Sequence, residues 1–182
     1  DYRRSLAPNA VPFDAPDAWT PSLARLVGYI VAEGWATIRD DNTADLRITN
    51  NDAEVVDDVT GAFDELGESY TVGGSRTGKS ATEIRCTSSQ FVSFLANIEP
   101  AILERSGDQR VPDGIFRASP EIQRCFLRAY VEGEAHVSES QRGITVASTS
   151  RELLEGVSSL LLTFGIPSSL QPRTNGSYRL RI

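Results

Sequence analysis

Apolar and polar residues alternate along this chain with two different periods, and the order in which those periods appear repeats. Thr20-Pro21 joins an N-cap residue to a proline at a first helical position, and Ser119-Pro120 does the same again. The first start predicts a helix running to about Glu33, and the second a helix running to about Glu134. Both helices end in the same chemistry. Leu26-Val27-Gly28-Tyr29-Ile30-Val31-Ala32-Glu33-Gly34 and Leu127-Arg128-Ala129-Tyr130-Val131-Glu132-Gly133-Glu134-Ala135 each hold a small residue, a second small residue four positions on, a glutamate and a further small residue. Gly28 and Ala32 align with Ala129 and Gly133, and Glu33 aligns with Glu134, at one constant interval.

Behind each helix the period shortens to two. Trp35 to Arg39 and Leu46 to Thr49 read as strands in the first half, and His136 to Ser138 and Ile144 to Ala147 take their places in the second. Asn51 with Glu54 and Thr149 with Glu152 then form capping boxes, each opening an amphipathic helix that Gly67 or Gly165 closes. Further strands follow around Ser69 to Val72 and Ala81 to Thr87, and around Ser168 to Gln171 and Ser177 to Ile182. The first half adds apolar helical turns from Ser89 to Ile98 and from Ala101 to Arg105. The pattern predicts an α+β protein of two pseudo-symmetric αββαββ(α) halves. Residues 1–19 form a proline-rich lead-in, 20–110 the first half, and 111–182 a second half that stops at its fourth strand.

A glutamate at a helix C-terminus opposes the helix dipole, which disfavours a carboxylate there by about 0.3–1 kcal/mol. A single exposed helix-end glutamate is ordinary; two matched copies are not. The small residues at i and i+4 let two helix backbones approach closely, which would set both carboxylates side by side. That arrangement calls for a hard divalent cation, Mg²⁺ or Mn²⁺, held by oxygen ligands and water.

Composition sharpens this picture. The 182 residues, 40% of them hydrophobic, can bury a substantial core. No apolar run approaches the roughly 20 residues that cross a bilayer and no signal peptide opens the chain, so the expected location is cytoplasmic. Cys86 and Cys125 lack metal-ligand spacing and His136 is the sole histidine, which argues against structural zinc. The net charge is −7, and Lys79 is the single lysine among 18 basic residues, a balance suited to a salt-rich cytoplasm. The chain contains no methionine and begins at Asp1, as a piece cut from a longer polypeptide would.

An acidic total does not exclude nucleic acid when one face collects the arginines. Alternation points Ile48, Ile84, Ile144, Val146, Leu180 and Ile182 toward the helices. It turns Arg47, Thr49, Arg85, Thr87, Thr145, Arg179 and Arg181 away from them, while Arg39, Arg76, Arg142 and Arg173, with Lys79, fall at strand ends or in hairpin loops. Arginines and hydroxyls of this kind suit base edges and phosphates. The acids Asp57, Asp58, Asp64 and Glu65 are expected elsewhere, on an outer helix.

With its duplicated motif at Leu26 to Gly34 and Phe126 to Ala135, its repeated element order and its Val111-Pro112-Asp113-Gly114-Ile115-Phe116 lead into the second motif, the chain resembles the LAGLIDADG homing endonuclease family in its two-copy, single-chain form. The lead looks most like endonuclease domains embedded in inteins. The resemblance covers about Leu23 to Ile182. It implies a monomer whose motif helices pack centrally and whose sheets form a saddle over a long double-stranded DNA target. It implies that Glu33 and Glu134, helped by the backbone of Gly34 and Ala135, ligate the metal at the scissile phosphates, each half cutting one strand. Intein splicing segments and a host protein would flank the chain.

The chain departs from the family at one place. Related enzymes often carry a lysine where Gln109 stands, beside Arg110, and the second half ends before its own equivalent. Arg110 would be a poor proton shuttle, so a DNA-binding relic of the same fold is the alternative. A rival motif, Gly73-Gly74-Ser75-Arg76-Thr77-Gly78-Lys79-Ser80, fits the P-loop of a nucleotide phosphatase, but a P-loop must open a helix. Ala81 to Thr87 alternates as a strand instead.

Overall fold

The computed structural model describes residues 13–74, 81–138 and 143–182. Helix α1 (Pro21–Glu33) leads into strands β1 (Gly34–Ile38) and β2 (Ala44–Asn50), helix α2 (Ala53–Glu65), and strands β3 (Thr71–Gly74) and β4 (Thr82–Cys86). Helix α3 (Ser89–Ile98), two short 3₁₀ turns and helix α4 (Asp113–Arg117) link to the second half. There helix α5 (Pro120–Glu134), strands β5 (His136–Ser138) and β6 (Gly143–Ser148), helix α6 (Arg151–Thr163), and strands β7 (Ser169–Pro172) and β8 (Tyr178–Arg181) repeat the order. Each half forms a four-stranded antiparallel sheet, ordered β1-β2-β4-β3 and β5-β6-β8-β7.

Both long central helices start as their sequences require. The Thr20 hydroxyl accepts from the Leu23 amide at 3.2 Å and the Ser119 hydroxyl from the Ile122 amide at 3.4 Å. The starts of α2 and α6 lie one residue later than expected. Asp52 caps α2 by accepting from the Glu54 amide at 2.9 Å, and Ser150 caps α6 by accepting from the Leu153 amide at 3.1 Å. Asn50 and Ser148 side chains accept from the amides of Asp52 and Ser150, so each cap is itself held by a local turn. Those turns displace the capping boxes at Asn51 and Thr149. At the other ends Gly67 and Gly165 adopt φ of +70° and +74°. The paired bonds from the Gly67 amide to the Asp64 carbonyl and the Glu68 amide to the Phe63 carbonyl form a Schellman turn, and Gly165 and Ile166 repeat it on Leu162 and Leu161.

The central packing is where the small residues act. A Cβ on Gly28 would lie 2.7 Å from the Phe126 carbonyl and 2.9 Å from the Ala129 Cβ, and one on Gly133 would lie 2.9 Å from the Ala32 Cβ. Helices α1 and α5 therefore approach as closely as their backbones allow, along the faces where the repeat removed side chains. Leu26, Ile30, Phe126 and Tyr130 are fully buried around this contact.

Strand alternation holds at Ile48, Ile84, Val146 and Leu180, each at most 1% exposed. Ile144 departs from it: at the hairpin end of β6 it is 37% exposed, and Ile182 is only half-buried. The stretch from Val111 to Arg117 is more than a link. It contains α4, whose final carbonyls at Ile115 and Phe116 accept from the Gln123 side-chain amide at 3.2 and 3.0 Å. The lead-in is also anchored, with Phe13 packed against Phe91 and Phe94 at ring separations of 5.0 and 5.1 Å. Thr82–Cys86, after the P-loop pattern, is a strand paired on both edges rather than a helix, and residues 75–80 lie outside the described set.

Candidate active site and nucleic-acid interface

Glu33 is the last residue of α1 and Glu134 the last of α5, and the close helix contact brings their ends together. Glu33 is exposed and Glu134 half-buried. Burial, and secondarily the nearby Glu33 charge, push the Glu134 carboxyl up to about 8. Gly34 and Ala135 follow as helix caps, their amides bonded back to the Ile30 and Val131 carbonyls. The result is a pair of mutually repelling carboxylates at two negative helix ends.

That donor set fits Mg²⁺ or Mn²⁺. The two carboxylates are hard oxygen donors whose repulsion a cation relieves, and no larger cluster of His, Cys, Asp and Glu surrounds a metal position among the described residues. A cation there would keep coordination positions for water and for phosphate oxygen, as Mg²⁺ characteristically does.

Beside Glu134 lies a cavity of about 290 Å³ bordered by Gln109, Tyr130, Ser148, Thr149 and Ser177. Gln109, the residue at the lysine position, is 6% exposed, and its carbonyl accepts from the Ser150 hydroxyl at 2.6 Å. The Tyr130 hydroxyl is buried without a partner among the described residues. Arg110, the other support candidate, is engaged elsewhere, its guanidinium 2.8 Å from the buried Glu99 carboxylate.

The sheet arginines divide into two groups. In the first half, register sets Arg47 opposite Trp35 on β1 and opposite Arg85 on β4, and Thr49 opposite Glu83. Asp45, two residues before Arg47 on the same face, is fully buried beneath them. It accepts from Arg47 at 3.2 and 2.8 Å and from Arg85 at 2.7 and 3.1 Å, with Arg39 at 3.5 Å. Burial raises the Asp45 carboxyl, but the hydrogen bonds from Arg47 and Arg85 outweigh it and hold the group well below the usual carboxylate range. Arg47 also lies 3.3 Å from Glu83 and 5.9 Å from the Trp35 ring, which is 51% exposed.

In the second half Thr145 stands opposite Arg181, and Ala147 opposite Arg179. Neither Arg179 nor Arg181 meets an acid among the described residues. Arg173 sits exposed at the β7–β8 hairpin, its amide bonded to the Ser177 carbonyl. Arg76, Lys79 and Arg142 lie outside the described residues.

Sequence reasoning missed Asp45, Glu83 and Trp35. The signal was present, because period two puts Asp45 on the side of Arg47 and Glu83 on that of Arg85. The acids Asp57, Asp58, Asp64 and Glu65 lie on α2, as expected, and two of them also tie that helix to α1. Asp58 and Glu65 pair with Arg25 of α1 at 2.5 and 2.8 Å, and Asp58 accepts from the Tyr29 hydroxyl at 2.8 Å.

Fold and site together define a pseudo-twofold α+β protein with two acidic helix ends at its centre and an antiparallel sheet in each half. The chain matches the LAGLIDADG-like domain family over residues 20–99 and 121–182, and it belongs to that family. It is 18% identical to I-DmoI in a crystal structure with DNA and Mn, with a TM-score of 0.64 over 89% of both chains. Among curated proteins of Methanocaldococcus jannaschii it is 28% identical over 157 residues to DNA-directed RNA polymerase subunit Rpo1C, covering 86% of this chain and 17% of that protein. It is 25% identical over 161 residues to glutamine–fructose-6-phosphate aminotransferase, covering 87% of this chain and 14% of that protein. The chain thus spans a small fraction of the curated relatives it matches.

Proposed function

We propose that this chain is a site-specific, metal-dependent DNA endonuclease that lays its two sheets along a long duplex target and cuts both strands. The observation that carries the reading is the pairing of Glu33 and Glu134 at the ends of two helices in backbone contact. Glu33 and Glu134 would hold Mg²⁺ or Mn²⁺, with the Gly34 and Ala135 backbone beside them. Bound between these carboxylates, such a cation would supply charge neutralisation at the phosphate and a lowered pKa for water. The chain's residues fix where that happens: the close helix contact sets the separation of the carboxylates, and Arg179, Arg181 and Arg85 hold the duplex. Gln109 borders the cavity at Glu134, where a neutral amide orients water without exchanging a proton.

The curated relatives support an inserted module. An RNA polymerase subunit and an aminotransferase share no activity, yet each contains a short stretch resembling most of this chain, as a mobile element such as an intein endonuclease would leave. One chain supplies both acids, which supports a monomer.

A DNA-binding relic is the second reading, favoured by the commitment of Arg110 to Glu99. The test is incubation of the chain with duplex DNA carrying the intact insertion junction of its host. Cleavage that needs Mg²⁺ or Mn²⁺, stops with chelator and is lost in Glu33→Gln and Glu134→Gln supports the endonuclease. Binding without cutting supports the relic, and cleavage unaffected by either substitution overturns the site.

A further inference from the structure

The two halves present different charge on matched surfaces. Strand register equates Ile48 and Ile84 with Val146 and Leu180, because each pair sits at the same position of β2–β4 and β6–β8. On that register Arg85 corresponds to Arg181, Arg47 to Thr145, Asp45 to Gly143 and Glu83 to Arg179. On β2 and β4 the first-half face therefore sets two arginines against two carboxylates, with Arg39 also 3.5 Å from Asp45, whereas β6 and β8 carry two arginines and no acid among the described residues.

In the first half the arrangement fixes orientation. Arg47 and Arg85 are directly opposite one another, a like-charge pair that is unfavourable alone. Asp45 removes the conflict by taking the Nε and Nη2 edge of both guanidiniums. Arg47 uses its remaining Nη1 on Glu83 and is 19% exposed. Arg85 is 41% exposed, and its Nη1 meets no acceptor among the described residues. One side of the Arg85 fork is thus anchored to a buried carboxylate while the outer side faces away from the protein. A guanidinium held this way loses little rotamer freedom on making a bidentate contact, and part of its charge is already offset by the shared Asp45 carboxylate.

Resting on the DNA-binding reading above, we infer that Asp45 is a positioning residue that aims Arg85 as a base reader, so that the first half recognises sequence while the second half grips phosphate by charge. An anchored fork suits the O6 and N7 acceptors of guanine in the major groove, a contact worth about 10- to 100-fold in discrimination. Arg179 and Arg181, which meet no acid among the described residues, suit phosphates, whose neutralisation depends on sequence little and on salt strongly.

The experiment selects bound sequences from a pool of randomised duplex DNA with the full chain, and measures the salt dependence of binding to one fixed random-sequence duplex. Wild type is expected to enrich guanine at a position in one half-site. Asp45→Asn frees both arginines: it should bind the random duplex more tightly, steepen the salt slope by about one, and flatten preference in that half-site alone. Arg85→Lys keeps the charge and loses the fork, so it should flatten the same position without steepening the slope, a result that survives even where Asp45→Asn folds poorly. Selection of the wild-type site by both variants overturns the inference while leaving DNA recognition intact. A wild-type chain that neither binds nor enriches any duplex overturns both.

Discussion

At the residue scale, the carboxylates do opposing work. Glu33 and Glu134 repel across two helix ends, so each is retained at a cost to the metal-free protein. In chelator at pH 9, above the raised Glu134 value, Glu134→Gln should melt above the wild-type protein, and with Mg²⁺ it should show no cleavage; a scanning melt in EDTA beside a nuclease assay in Mg²⁺ checks it. Asp45 works in the other direction. Its folded pKa is depressed, so the stability it contributes is complete above the unfolded value of about 3.9, and is lost as pH falls through the folded value. Asp45→Asn should therefore flatten the acid limb of the stability curve, measured by chemical denaturation between pH 5 and pH 2. The glutamates were legible in the sequence because duplication doubled a signal that a single helix-end acid does not give. Asp45 was not, because an acid between arginines on a strand is ambiguous until the register shows which guanidiniums reach it.

At the element scale, glycines in two helices have opposite meanings. Gly28 sits where α1 meets α5, and a methyl group would press on a carbonyl and a Cβ that cannot withdraw. Gly28→Ala should destabilise by about 1–3 kcal/mol, the range of an overpacked core. Gly61 lies within α2 where an added Cβ would meet nothing within 4 Å, so Gly61→Ala should stabilise by about 0.5–1 kcal/mol through reduced backbone freedom. Denaturant midpoints of the two variants test the pair. The helices, their proline starts and their glycine ends were readable because each is local chemistry. The caps of α2 and α6 moved by one residue because an Asx-type turn from Asn50, and its serine counterpart at Ser148, competes with a capping box in a way spacing alone does not reveal. Helix α4 escaped notice because its five residues owe their C-terminal satisfaction to Gln123 on another element.

At the scale of the whole molecule, the net charge of −7 conceals an uneven distribution. Much of the acid is spent internally, with Asp58 and Glu65 on Arg25, Glu99 on Arg110, and Asp45 and Glu83 on the first-half arginines. Among the described residues, Arg179 and Arg181 of β8 meet no acid. Counterion release should therefore come disproportionately from the second half. Replacing both arginines with alanine removes two positive charges that touch no described acid, so folding should be little affected. Binding to duplex DNA should weaken across all sequences, and the slope of log affinity against log salt should fall by about two. Filter binding between about 50 and 200 mM salt reads that slope, and a thermal melt confirms that the fold persists. An unchanged slope would mean that the duplex is gripped elsewhere, and that the second-half sheet is not its electrostatic anchor.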